Sequence, residues 1–113
     1  MNIQIFGAKK SFDTKKAERY FKERRIKYQY IDMAEKGLSK GELTSVAQAV
    51  GGLEKLIDPD CKDRQTAVLI QYLGAGQKLE KVLENQQVLR TPIVRNGRQA
   101  TVGYEPEVWK GWE

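Results

Sequence analysis

The chain has 113 residues, of which 40% are hydrophobic and 31% are charged, a balance that predicts one globular domain over residues 1–113. No apolar run approaches the roughly 20 residues that span a bilayer, and the first residues contain no basic leader with an apolar core, so we expect a cytoplasmic protein without membrane contact. One cysteine and no histidine exclude an internal disulfide, a paired-cysteine motif and the usual zinc sites, and we expect no metal and no cofactor.

The formal net charge of +5 could attract nucleic acid or an acidic partner. In KKAERYFKERR, however, Glu18 and Glu23 interrupt the basic residues, as on a solvated helix face. Aromatic residues do not alternate with the basic ones as stacking platforms would. The sequence therefore does not favour nucleic-acid binding.

The first predicted elements are a strand and a helix. Residues 2–6 alternate apolar and polar side chains and end at Gly7, which indicates a strand that enters a turn. Asp13 or Thr14 is expected to cap a helix that runs to Arg25, with apolar residues at helical spacing. Residues 26–32 then predict a second strand, parallel to the first because a helix crosses between them.

The middle of the chain, residues 33–89, predicts a helical insertion. Ser39 is expected to cap its first helix, and Gly51 and Gly52 should end that helix. Further helices are expected at residues 53–57, 66–73 and 76–85.

The last part predicts a hairpin and a helix. The short β-type runs PIVR and QATV are joined by Asn96-Gly97, which suits a type I′ turn. Pro106 is expected to begin the final helix. Three apolar residues of that segment should pack on the sheet: Val108, Trp109 and Trp112.

The order βαβ, helices, ββα is the thioredoxin arrangement with a helical insertion. The stretches GAKKSFDTKKAERYF, TPIVRNGRQATVGY and EVWKGW also resemble the arsenate reductase and Spx family of thioredoxin-like proteins, most closely its small branch of ArsC family (seleno)proteins. The resemblance implies an α/β, thioredoxin-like fold with a four-stranded mixed sheet. It also implies a thiol- or selenol-dependent oxidoreductase with glutathione or thioredoxin as reductant and an oxidised small molecule or protein as substrate.

In that family, the loop after the first strand carries a redox cysteine or selenocysteine, and the match places it at Ser11, with Thr14 at the position of a second cysteine. A helix N-terminus can lower the pKa of a thiol from about 8.5 to roughly 3.5–7.5. A serine hydroxyl is far less acidic and needs a base, and this chain has no histidine, so we expect it to be inactive as written. Ser11 either replaces a cysteine or selenocysteine or is the native residue of an inactive relative. It could also be an ordinary loop serine whose role is to cap the helix.

The resemblance also places a cis-proline at Thr91-Pro92, opposite the active loop. Arsenate reductases hold their oxyanion with arginines, one commonly beside this proline, where this chain has Thr91, with Arg90 one residue earlier. Because a planar guanidinium suits a tetrahedral oxyanion, the shifted arginine weakens the prediction of an arsenate site.

Three further residues have two interpretations each. Lys9 and Lys10 either stabilise a thiolate at position 11 or are solvated surface lysines. Cys61, in DPDCKDR, is either a resolving thiol for the redox residue or an incidental surface cysteine.

A binding role is the alternative function. Spx relatives regulate transcription by contacting RNA polymerase, and the net positive charge is compatible with an acidic partner surface. Under that interpretation the chain is a non-catalytic regulatory module.

Overall fold

The computed structural model describes all 113 residues and contains a four-stranded sheet in the order β2-β1-β3-β4. The strands are β1 Ile3–Gly7, β2 Tyr28–Asp32, β3 Ile93–Asn96 and β4 Gln99–Val102. β1 pairs with β2 in parallel, and β1–β3 and β3–β4 are antiparallel, which confirms the predicted mixed sheet.

Five α-helices connect and cover the strands. They are α1 Phe12–Glu23, α2 Lys40–Val50, α3 Arg64–Gln71, α4 Ala75–Glu84 and α5 Pro106–Lys110. Short 3₁₀ turns at Leu53–Leu56 and Gln86–Val88 complete the segment between β2 and β3. None of the helices has the length and apolarity needed to cross a bilayer.

Helices lie on both faces of the sheet because successive side chains of a strand point to opposite sides. On one face, Ile3, Ile5 and Val94 pack against Phe21 of α1 and Trp109 of α5. All five side chains are fully buried. This packing therefore holds α1 and α5 against the same face of the sheet.

The other face is covered by the helical insertion. Phe6 and Ile93 point to this side and join a cluster that includes Leu43 and Val46 of α2 and Val82 of α4. Ser39 caps α2 as predicted, in a capping box with Glu42. The insertion is thus packed on the sheet through apolar residues.

The boundaries of α1 differ from the prediction. Asp13 and Thr14 are not the cap, because Ser11 is the N-cap and its side chain accepts the Thr14 N–H. At the other end, the left-handed φ of 56° at Arg25 ends the helix, and Ile26 donates its N–H to the carbonyl of Phe21. Residue 26 therefore belongs to the helix end, and β2 begins two residues later than predicted.

The hairpin turn is not the predicted one. Asn96 pairs with Gln99, so the two central residues are Gly97 and Arg98 rather than Asn96 and Gly97. Only Gly97 has a positive φ, which fits a type II′ turn with glycine first. Asn96 is kept in the strand because it also pairs with Ile3.

The final helix confirms the predicted start at Pro106 but not all of the predicted packing. Trp109 is fully buried and Trp112 is partly buried, whereas Val108 is 44% exposed. Residues three apart share one face of a helical turn, and here that face belongs to Trp109 in α5 and Trp112 in the turn that follows it. The indole N–H of Trp109 donates to the Thr101 hydroxyl at 2.8 Å.

The Trp109–Thr101 hydrogen bond generates a first prediction. Thr101→Val keeps the side-chain shape but leaves a buried indole N–H unpaired, so we expect the free energy of unfolding in urea to fall by about 1–3 kcal/mol. Thr101→Ser retains the hydroxyl and should lose clearly less. Equal stability of the valine variant and the parent would contradict the assigned role.

The close approach of β1 and α1 generates a second prediction. A Cβ on Gly7 would overlap the Thr14 side chain, so Gly7→Ala should lower the free energy of unfolding by about 1–3 kcal/mol. Gly76→Ala in α4 is the matched control, because no atom lies within 4 Å of its added Cβ, and it should be neutral or stabilising. Similar urea midpoints for the two variants would refute the close packing.

Candidate active site

Ser11 lies where the loop after β1 enters α1. Its N–H donates to the carbonyl of Ala8 at 3.1 Å, and its hydroxyl oxygen accepts the N–H of Thr14 at 3.1 Å. The residue is half-buried. Its side-chain oxygen therefore lies at the positive end of the helix and accepts a backbone N–H that has no partner within the helix.

The loop before β3 faces Ser11 from the other side. The Ser11 hydroxyl donates to the carbonyl of Thr91 at 3.5 Å, the long limit of a hydrogen bond. The Thr91–Pro92 peptide bond is cis, and Gly103 donates its N–H to the carbonyl of Pro92 at 2.8 Å. Two loops 80 residues apart thus meet at the Ser11 side chain.

The Thr14 side chain does not point to the Ser11 side chain. Thr14 is buried, its hydroxyl oxygen accepts the N–H of Ala8 at 3.3 Å, and its methyl group lies against Gly7. Its backbone N–H is what reaches Ser11. Thr14 therefore acts here by holding the loop shape, and no side-chain pair bridges positions 11 and 14.

A third loop reaches the site from the helical insertion. Asp58 donates its N–H to the carbonyl of Val88, and Arg90 donates its N–H to the carbonyl of Leu56, both at 2.8 Å. Ile57 and Leu89 form an isolated antiparallel bridge between these bonds. This pairing places the loop after residue 57 next to the loop that carries Thr91.

The three loops enclose an open, polar cavity of about 530 Å³. Apart from Pro59 its lining is polar, and it consists of Ser11, Asp13, Asp58, Pro59, Asp60, Arg90 and Thr91. Three carboxylates therefore share this cavity with one guanidinium. Across the whole chain, no three acidic, cysteine or histidine groups converge in a way that could hold a metal ion.

Arg90 lines the cavity but also contacts the backbone at its edge. Its Nη2 atom lies 3.1 Å from the position that a Cβ on Gly103 would occupy, and Gly103 has a left-handed φ of 83°. No carboxylate lies within ion-pairing distance of the guanidinium. Arg90 therefore carries an unneutralised positive charge beside Thr91.

The two lysines before Ser11 do not line its cavity. Lys9 is largely exposed and its ammonium lies 3.9 Å from the Asp32 carboxylate. Lys10 is exposed and lines a neighbouring cavity instead.

Cys61 is buried, so its interpretation as a surface cysteine is wrong. The thiol donates to the carbonyl of Asp63 at 3.5 Å, and a chain turn after Asp58 folds the residue inward. Cys61 lines the neighbouring cavity of about 880 Å³, which shares Asp58, Asp60 and Thr91 with the Ser11 cavity. Cys61 and Ser11 thus border adjoining parts of one groove.

The Cys61 loop is anchored where it enters α3. Asp63 caps the helix by accepting the Thr66 N–H at 3.2 Å and accepts a second bond from the Gln87 side chain at 3.0 Å. Hydrogen bonds from Thr66 and then Gln87 lower the pKa of the Asp63 carboxyl below its ordinary value. This cap also explains why α3 begins at Arg64, two residues before the predicted start.

The residues that sequence reasoning missed are Asp58 and Asp60. They belong to a turn whose composition is ordinary, and they reach Ser11 only through the pairing of residues 56–58 with residues 88–90. Another missed feature is Phe12, directly after Ser11, whose side chain is 78% exposed. An aromatic residue at the first helical position carries no sequence signal that distinguishes it from a core residue.

Solved structures similar to this one share its fold over nearly the whole chain. A putative ArsC family related protein from Bacteroides fragilis matches with a TM-score of 0.86 at 17% identity, covering 100% of this chain and 98% of that one. An arsenate reductase from Vibrio cholerae matches with a TM-score of 0.80 at 22% identity, covering 96% and 94%. These likenesses show the thioredoxin-like fold that the sequence predicted.

Sequence comparison gives the family. The global transcriptional regulator Spx 2 of Oceanobacillus iheyensis is 27% identical over 109 residues, which are 95% of this chain and 80% of the relative. A model of the ArsC family matches residues 6–112, from the last part of β1 to the residue before the C-terminus. Because that match spans almost the entire chain, this protein belongs to the ArsC family.

Proposed function

We propose that this protein has the fold of a thiol- or selenol-dependent oxidoreductase whose redox residue occupies position 11, and that Ser11 replaces a cysteine or selenocysteine. The observation that carries this proposal is the double contact of the Ser11 oxygen, with the Thr14 N–H on one side and the Thr91 carbonyl on the other. A sulfur or selenium anion at this place would accept the same N–H at the positive end of α1.

In the cysteine or selenocysteine form, the anion at position 11 attacks one sulfur of an oxidised substrate R–S–S–R′. A bond forms between residue 11 and R–S, the S–S bond of the substrate breaks, and R′–S⁻ leaves and takes a proton from solvent. A second thiol then attacks the mixed adduct, is itself oxidised and restores the anion. The chain supplies the helix N-terminus, the loop geometry and the cavity walls.

Ser11 cannot perform this step. Its hydroxyl keeps its proton, which it donates to the Thr91 carbonyl. With no histidine in the chain, no imidazole is present to remove that proton. The Ser11 protein should therefore bind the oxidised substrate but not reduce it. We place the active form in the cytoplasm, where thiols are kept reduced.

We further propose that an external thiol, glutathione or thioredoxin, resolves the adduct. Cys61 borders the adjoining part of the groove, but it is buried and its thiol is hydrogen-bonded within its own loop. An attack on residue 11 would require that loop to open. A thiol arriving through the open cavity needs no such movement.

A non-catalytic, Spx-like role is the second candidate. It is favoured by the similarity to a global transcriptional regulator and by three exposed apolar side chains on one helix and its end, Val68, Leu69 and Tyr72. Such a module would bind a protein, with RNA polymerase as the implied partner. The codon at position 11 separates the two: a cysteine or TGA codon supports the oxidoreductase, and a serine codon supports the module.

The proposed redox position predicts the acidity of an introduced thiol. In a Ser11→Cys, Cys61→Ser variant, alkylation by iodoacetamide should rise with pH through a midpoint below the roughly 8.5 of free cysteine, because α1 stabilises the thiolate. The neighbouring carboxylates oppose this shift, so Asp58→Asn should lower the midpoint further. The control protein, which has Ser11 and Cys61→Ser, should not be labelled by iodoacetamide. A midpoint at or above that of free cysteine would favour the binding module over the oxidoreductase.

The proposed external resolution predicts the products of oxidation. A Ser11→Cys variant that retains Cys61, treated with the neutral hydroxyethyl disulfide, should give one mixed adduct at position 11 by mass spectrometry. The Cys61→Ser version should give the same adduct in similar yield. An internal disulfide that disappears on Cys61→Ser would instead establish Cys61 as the resolving thiol.

A further inference from the structure

The cavity at Ser11 has the opposite charge to the chain as a whole. The chain carries a net charge of +5, yet Asp13, Asp58 and Asp60 line this cavity and Arg90 is the only basic residue that does. The local sign is therefore a property of the site and does not follow from composition.

The three carboxylates are not neutralised by neighbouring cations. None of them takes part in any of the five ion pairs of the structure. One oxygen of Asp58 accepts the N–H of Asp60 at 2.9 Å, which orders the turn but leaves both negative charges in place. No metal-binding group forms among them, so their charge is available to a bound molecule.

We propose, on the basis of the oxidoreductase function proposed above, that the substrate is an oxidised cysteine in a polypeptide with lysine or arginine beside that cysteine, and that free oxyanions are excluded. A tetrahedral oxyanion in this cavity would meet three carboxylates and one guanidinium, whose net charge repels it, and the Thr14 N–H at the positive end of α1 is already taken by the side chain of residue 11. The same carboxylates attract a basic side chain that lies next to a substrate disulfide.

The shape of the groove favours a polypeptide over a small molecule. The Ser11 cavity continues, through Asp58, Asp60 and Thr91, into the cavity of about 880 Å³. That second part is lined by apolar side chains such as Met33 and Leu89 as well as charged ones. A groove of this volume with mixed walls suits several consecutive side chains, and a single tetrahedral ion would fill little of it.

The basic residue does not change the chemistry of the disulfide exchange at position 11. The anion at position 11 forms a bond to the sulfur of the substrate cysteine, the substrate S–S bond breaks, and the departing thiolate takes a proton from solvent. The basic residue is not consumed. Its attraction to Asp58 and Asp60 holds the disulfide over position 11 and raises the rate of productive encounter.

The test uses the Ser11→Cys, Cys61→Ser protein and three peptides that differ only in the residues flanking one cysteine: lysine, serine or glutamate. Each cysteine carries a neutral 2-thiopyridyl disulfide, and the release of pyridine-2-thione gives the second-order rate. At low ionic strength the lysine peptide should react at least about tenfold faster than the glutamate peptide, and salt should shrink that ratio.

Matched variants assign the preference to the cavity. Asp58→Asn combined with Asp60→Asn should reduce the lysine-to-glutamate ratio to about twofold or less, whereas Glu23→Gln, at the far end of α1, should leave it unchanged. If the double variant fails to fold, the single variants Asp58→Asn and Asp60→Asn replace it, and each should lower the lysine-to-glutamate ratio while Glu23→Gln does not.

The possible results distinguish failure of the proposed substrate preference from failure of the proposed oxidoreductase function. Reaction with all three peptides at equal rates, or faster reaction with the glutamate peptide, overturns the substrate preference and leaves the oxidoreductase in place. Protection of the introduced thiol from iodoacetamide by millimolar arsenate overturns the exclusion of oxyanions. A thiol that reacts with no peptide and alkylates like free cysteine overturns the proposed function itself.

Discussion

Two backbone hydrogen bonds hold the candidate site together, one from Asp58 to Val88 and one from Arg90 to Leu56. They fasten the helical insertion to the loop before β3, and so they place one wall of the cavity against the other two. Because they join main-chain groups, they do not depend on which side chains the loop carries. The geometry of the site can therefore persist while substitution at positions such as Asp60 alters its charge, and with it the molecules that the cavity accepts.

The loop after β1 divides its tasks between two residues. The Thr14 side chain fixes the loop by accepting the Ala8 N–H, and its backbone N–H is left to contact the side chain of residue 11. A hydroxyl and a thiolate both accept that N–H, so the same fold accommodates either. The two groups differ because only the hydroxyl has a proton to donate, and Ser11 donates it to the Thr91 carbonyl. Beside a thiolate, the Thr91 carbonyl would be free to accept an N–H from a bound polypeptide.

Whole-chain charge and site charge have different physical origins here. Most lysines and arginines are exposed, on helices and in loops, where water screens their charges. Lys40 and Glu80 form one of the few ion pairs. The three aspartates line one concave surface, and such a surface focuses the field that they produce. A bound molecule therefore responds to Asp13, Asp58 and Asp60 more than to the net charge of the chain.

Local patterns predicted the four strands, apart from the start of β2, the order of the helices and the place of Ser11 between β1 and α1, because alternation, capping residues and helix breakers act over a few neighbouring residues. The family pattern supplied the redox interpretation, and the N-cap at Ser11 agrees with the helix-capping role that a serine has at such a junction. Tertiary contacts alone decide that Cys61 is buried, that the hairpin turns at Gly97-Arg98, and that two aspartates of an ordinary turn line the same cavity as Ser11. Each of these depends on pairing or packing between segments far apart in the chain, and such contacts leave no local pattern in the sequence.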